Sequence, residues 1–264
     1  KLPVLAEELR RDGIRLVSIV DPAVKAAEGN AVYDGGTARD AFVRDASGRL
    51  VRGEAWPGEA VFPDFTHARV REWWGGLYEE RLAQGFSGFW HDMNEPTSFA
   101  AFGESTLPRS ARHALEGRGG DHREGHNVYA LCMARAGYEG LRELAPQERP
   151  FVFSRSGWAG MQRYGGTWSG DVATGWPGLR ASLALVMGLG LCGVPYSRPD
   201  VAASTGVRRR SCICAGSSSA RICRCSVRTR VCGRGAGSPG SSVTRCWSTR
   251  AWRSSSAGGC CRTS

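Results

Sequence analysis

The chain changes character after residue 204, and that break decides which residues can fold. Residues 205–264 contain no Leu, Phe, Tyr, His, Met, Lys, Asn, Gln, Asp or Glu, and consist mainly of Arg, Ser, Cys, Gly, Ala, Thr and Val with two Trp. A segment whose large aliphatic side chains are two Ile has little to bury, and folding needs burial to offset chain entropy. A packed core must therefore come from residues 1–204. The composition of 205–264 resembles a G+C-rich coding region read out of frame, with the break between about 197 and 205, so this tail is expected to have no fold. The alternative is a Cys/Arg-rich module. Its pairs Cys212/Cys214 and Cys223/Cys225, with Cys260–Cys261, lack both His and the C-x₂-C spacing of common zinc sites. No metal is expected.

Charge follows the same division. The net charge of +10 would suggest an acidic partner such as nucleic acid, but twelve unbalanced Arg after residue 204 carry +12, leaving −2 before it. No nucleic-acid partner is expected. Eight of the ten Cys also lie in the tail, leaving Cys132 and Cys192. That is the pattern of a reducing compartment, and a cytoplasmic location is expected. There is no run of about 18 apolar residues and no signal peptide, so no membrane association is expected. The chain opens on Lys1, and it reads as starting inside a domain. Nothing in the pattern speaks to oligomeric state.

Residues 1–204 read as alternating strands and helices. Leu5 and Leu9 sit one helical turn apart before Gly13. Residues 14–22 form an apolar run ending in Pro22, 85–96 a second, 150–156 a third, and 189–195 a fourth, each read as a strand. Val70, Trp73, Trp74, Leu77 and Tyr78 share one helical face, as do Val128, Leu131, Cys132, Tyr138 and Leu141. A further helix is expected from Trp176 to Leu189. Polar residues follow the strands at their C-terminal ends. This is the arrangement of an α/β barrel with its site on that face.

Two segments stand out chemically. The first is Trp90-His91-Asp92-Met93-Asn94-Glu95-Pro96, two acids and an amide directly after an apolar strand. The second is Gln162-Arg163-Tyr164-Gly165-Gly166-Thr167-Trp168-Ser169-Gly170-Asp171. Either acid alone would read as a cap or a turn residue. Together and in this order they resemble the W-x-D-M-N-E-P and R-Y-x-x-x-W-x-G-D signatures of glycoside hydrolase family 31.

The resemblance implies a retaining α-glycosidase acting on an α-glucoside oligosaccharide. Asp92 would be the nucleophile and Asp171 the general acid/base, with no cofactor. Trp90 and Met93 would belong to the sugar pocket, Arg163 would bind substrate near the nucleophile and keep it ionised, and Trp168 would form a pocket wall. Weaker matches agree in order. Ile19-Val20-Asp21-Pro22 matches a strand motif in which Asp21 would bind substrate, although it reads equally as a strand cap. Trp56-Pro57-Gly58 with Phe62-Pro63-Asp64-Phe65 matches a stretch that contributes an aromatic wall, assigning Trp56. His126-Asn127-Val128-Tyr129 matches the start of the next helix. Arg155 reads either as structural, paired with barrel carboxylates, or as a substrate contact. Pro199-Asp200-Val201 matches a motif in which Asp200 contacts substrate, and the match fades beyond it.

The resemblance implies a (β/α)8 TIM barrel, of which residues 1–204 would supply roughly strands three to seven. On that expectation the chain alone would be inactive. The same family resemblance leaves α-xylosidase or transglycosylase activity, or an inactive truncated product, as alternatives.

Overall fold

The computed structural model describes residues 1–100, 105–172 and 175–200. The expectations for the 205–264 tail, including its Cys pairs, lie outside the described residues. Within them the order is α1 (Leu2–Arg11), β1 (Leu16–Val20), β2 (Val24–Lys25), α2 (Ala31–Thr37), β3 (Gly53–Ala55), β4 (Gly58–Val61), α3 (Ala68–Gly76), α4 (Glu79–Ala83), β5 (Phe86–His91), β6 (Arg112–His113), β7 (Gly120–Asp121), α5 (His122–Leu144), β8 (Val152–Ser154), β9 (Gly166–Trp168), α6 (Trp176–Leu191) and β10 (Ser197–Arg198).

Five of these strands form one sheet in the order β1-β5-β8-β9-β10. Every neighbouring pair is parallel. Parallel neighbours require crossovers: α3 and α4 lie in the one from β1 to β5, and α5 lies in the one from β5 to β8. The result is part of a TIM barrel, as the strand–helix alternation implies. Side chains along β5 alternate: Phe89 enters the core beneath the helices, while Trp90 joins Phe153 and Trp168 on the other face. A period of two is what places one residue type inside the barrel and the next against the helices.

The long helix α5 starts where Asp121 accepts a hydrogen bond from the Arg123 backbone N–H at 3.0 Å. Its buried residues include Tyr129, Met133, Ala136, Gly137 and Gly140, a stripe of helical spacing. The motif His126–Tyr129 therefore lies one turn inside this helix, not at its start. Where α3 crosses α5, Gly75 faces Gly140. A Cβ on Gly75 would lie 2.9 Å from the Gly140 Cα. The two backbones meet with no side chain between them.

Two sequence expectations are corrected. The stripe from Val70 to Tyr78 is not one helix; α3 ends at Gly76, Leu77 and Tyr78 lie in the turn that follows, and α4 begins at Glu79. The run 189–195 is not a strand. Helical bonding continues through Cys192 N–H to Gly188 C=O at 3.0 Å, and Gly193, at φ +83°, ends it. The strand follows at Ser197–Arg198. A short apolar run carries no period that separates a strand from the end of a buried helix.

Candidate active site

Each strand of the main sheet delivers a polar residue from its C-terminal end. β1 is followed by Asp21, β5 by Asp92, β8 by Arg155, β9 by the turn leading to Asp171, and β10 by Asp200. Backbone bonds hold the centre of this row. The Asp92 N–H donates to Val20 C=O at 3.1 Å, and the Arg155 N–H donates to His91 C=O at 2.9 Å. The nucleophile candidate is thus fixed from both neighbouring strands.

Arg155 is the hub. Its guanidinium lies 3.0 Å from Asp92 Oδ1 and 2.8 Å from Glu95 Oε1, and Nη2 reaches Glu95 Oε2 at 2.9 Å. The Met93 backbone N–H donates to Asp92 Oδ1 at 2.8 Å. Met93 is buried with φ +55°, and its sulfur accepts from Arg155 at 3.2 Å. A non-glycine residue held at positive φ is strained, and its surroundings must supply the constraint. Asn94 supplies part of it. Fully buried, it donates to Ser154 Oγ at 2.8 Å and accepts from the Ser156 N–H at 3.1 Å.

The electrostatics follow from crowding. Burial pushes the Asp92 carboxyl up. Arg155 and the Met93 N–H pull it down, while the charges of Glu95 and Asp171 push it up again, and the net direction is upward. Asp200 is pushed to about 6, first by burial, against the Trp168 hydrogen bond, and further by Asp171 and Asp92. Like charges crowded together disfavour joint ionisation. Burial also raises Glu95, but bonds from Arg155, Ser156 and Thr97 outweigh it and bring the carboxyl to about 2.

An aromatic wall lines the same space. Trp90 and Trp168 meet edge to face at 4.8 Å, and Trp168 Nε1 donates to Asp200 Oδ1 at 2.9 Å. The Arg155 guanidinium lies 5.9 Å from the Trp168 ring centre. Gly170, at φ +77°, turns the chain past Arg155 so that Asp171 stands exposed beside these groups. Asp21, half-buried, follows β1 at the same end of the sheet.

Two expected residues lie elsewhere. Arg163 is not beside Asp92. It is exposed, bonded to Gly160 C=O at 3.4 Å and stacked on Tyr164. Arg155 holds the position expected of it, because β8 ends next to β5 whereas Arg163 precedes β9 in a short 3₁₀ turn. Trp56 sits on the tip of the β3–β4 hairpin, 73% exposed, with its ring against Phe99. Glu95 is the residue that sequence reasoning passed over. It lay within the quoted motif, but only its bonds to Arg155, Ser156 and Thr97 reveal its role.

Replacing Arg155 by Met should leave two partly buried carboxylates unpaired and cost about 3 kcal/mol of stability at neutral pH. The pH dependence has a definite sign. Glu95 is depressed from 4.5 to about 2, so its contribution is complete above 4.5 and is lost as pH falls from 4.5 toward 2. Urea unfolding from pH 7 to pH 3 should show that acid loss in the parent and a flatter profile in the variant. Equal acid limbs would count against the pairing.

Among the described residues no helix is long and apolar enough to cross a membrane, and no group of three His, Cys, Asp or Glu could hold a metal ion. Residues 2–212 match the sequence model of the Glycosyl hydrolases family 31 TIM-barrel domain. The chain is 41% identical over 200 residues to Alpha-glucosidase 2 of Bacillus thermoamyloliquefaciens, covering 76% of this chain and 25% of that protein. The structure of a glucosidase II alpha subunit superposes with a TM-score of 0.73 at 32% identity, over 80% of this chain and 23% of that one. A Family 31 alpha-glucosidase from Bacteroides thetaiotaomicron gives 0.68 at 34% identity, over 80% and 34%. The chain thus spans about a quarter of the length of the Bacillus relative. By its sequence match over most of its length, and by the fold that match predicts, the chain belongs to glycoside hydrolase family 31.

Proposed function

We propose that, within the intact parent enzyme, this barrel segment serves a retaining α-glycosidase acting on terminal α-glucosidic bonds, with Asp92 as nucleophile and Asp171 as general acid/base. The observation that supports this best is the pairing of Asp92 with Arg155, close enough to Asp171 and Asp200 for their charges to act on one another. The reading draws further support from the alpha-glucosidases to which the chain is similar.

The chemistry is a double displacement. Asp171 gives its proton to the glycosidic oxygen while Asp92 attacks the anomeric carbon, and the bond to the leaving group breaks. The product is a glycosyl ester on Asp92. Asp171 then takes a proton from water, whose oxygen attacks the same carbon and releases the carboxylate. Arg155 favours the ionised form of Asp92 and so opposes the larger effect of burial. Trp90 and Trp168 form the apolar wall, and Asp200 and Asp21 accept hydroxyl hydrogen bonds from the sugar.

The test is stereochemical. In the intact protein, proton NMR of aryl α-glucoside hydrolysis should show the α anomer first, and 5-fluoro-α-glucosyl fluoride should label the peptide carrying Asp92. First release of the β anomer would overturn the retaining mechanism.

A further inference from the structure

The side chain before the nucleophile candidate turns away from the sugar, and the chemistry above does not use it. His91 is the last residue of β5 and is fully buried. Strand alternation sends Phe89 and His91 to the helix layer, while Trp90 between them joins Phe153 and Trp168 on the other face. Tyr78, in the turn between α3 and α4, lies along the outer face of the strand. Its ring stacks on Phe89 with 4.0 Å between centres, and its hydroxyl lies 2.7 Å from His91 Nε2. Trp74 Nε1 donates to the same hydroxyl at 3.0 Å. The imidazole is also seated against α5, where a Cβ on Gly137 would lie 2.9 Å from His91 Cε1.

The donors of this trio run in one direction. The Trp74 N–H can only donate, so it occupies one lone pair of the Tyr78 oxygen. If Tyr78 donates in turn to a bare His91 Nε2, both bonds are made, and His91 Nδ1 is the one polar atom of the trio without a partner. If Nε2 carried the proton and donated to Tyr78, the hydroxyl hydrogen would lack an acceptor as well. Each unmade buried bond is costly, so the first arrangement holds. Burial pushes the imidazole down to about 3, and burial lifts the phenol well above its usual range against the Trp74 bond. Neither group ionises near neutral pH, and the order of the bonds is fixed.

The backbone of the same residue leads into Asp92. The His91 C=O accepts from the Arg155 N–H at 2.9 Å, on the β8 side, and the Asp92 N–H donates to the Val20 C=O at 3.1 Å, on the β1 side. These two bonds lie in the sheet and leave the peptide free to rock about the line between them. The His91 side chain stands off the sheet and supplies a third point of attachment. Arg155 and the Met93 N–H hold the carboxylate oxygens of Asp92, whereas His91 holds the main chain from which that side chain springs.

We propose that His91 is a positioning residue for the nucleophile, and that through the Trp74–Tyr78–His91 bonds the outer helix layer sets the aim of the Asp92 carboxylate. The inference rests on Asp92 being the nucleophile.

The leaving group of 5-fluoro-α-glucosyl fluoride departs with little help from an acid. Its inactivation of the intact parent enzyme therefore reports the attack of Asp92, resolved into a binding constant and a labelling rate constant. Tyr78→Phe keeps the ring on Phe89 and removes only the hydroxyl. It should lower the labelling rate constant about tenfold with the binding constant unchanged, a shift of about half an ångström being enough. His91→Asn, whose amide reaches only as far as Nδ1, should lower it likewise. His91→Gln, whose amide oxygen reaches as far as Nε2, should recover most of that loss. A parent-like labelling rate in Tyr78→Phe would overturn the positioning role, and so would a loss that falls on binding and labelling alike. Should neither His91 variant fold, the Tyr78→Phe rate decides alone. Peptide mapping keeps the two readings apart. A label on a residue other than Asp92 in the parent enzyme would overturn the nucleophile assignment and this inference with it. A label on Asp92, at a rate indifferent to Tyr78→Phe, would overturn this inference only.

Discussion

Asp92→Asn should lower kcat on aryl α-glucosides by about 10⁵-fold or more, the scale on which a covalent nucleophile is lost. The amide oxygen can still accept from the Met93 N–H and from Arg155, so the site should keep its shape while losing the group that forms the glycosyl ester. The thermal midpoint should stay within a few degrees of the parent, which separates lost chemistry from lost structure. Near-normal turnover in a folded variant would remove Asp92 from the mechanism.

Asp171→Ala should slow substrates with poor leaving groups by about 10²- to 10⁴-fold and spare those whose leaving groups depart unprotonated. Added azide should restore turnover of the activated substrates and yield the α-glucosyl azide, since it enters by the face that Asp171 vacates. The side chain is exposed and no described bond anchors it, so its removal should cost little stability. A uniform loss across all leaving groups, with no azide product, would mean that Asp171 holds the sugar and transfers no proton.

The barrel was legible in the sequence because three of the five strands of the main sheet leave a strong local mark: an apolar run, then a polar residue where the chain emerges. Phe86–His91 and Val152–Ser154 are examples. The strand Ser197–Arg198 left none, since two residues make no pattern and the apolar text beside it belongs to the last turn of α6. Asp92 could be read from its motif because Asp92, Met93 and Asn94 are contiguous. Arg155 could not be ranked above Arg163, because their difference is spatial. One leaves a strand adjacent to β5 and the other a turn that faces solvent. The Trp74–Tyr78–His91 chain of bonds was wholly invisible, since 13 residues separate Tyr78 from His91 and the helical stripe marks Trp74 and Tyr78 only as core residues.

The crossing of α3 over α5 has a consequence of its own. On one side of it, Tyr78 bonds to His91 at 2.7 Å, and His91 precedes Asp92. On the other, Gly137 packs directly against the His91 ring. Any side chain inserted at Gly75 or Gly140 would wedge the two helices apart, and His91 is seated between their flanks. Two hydrogen atoms on the outer layer thus set the spacing of the helices against which His91, the neighbour of Asp92, is packed.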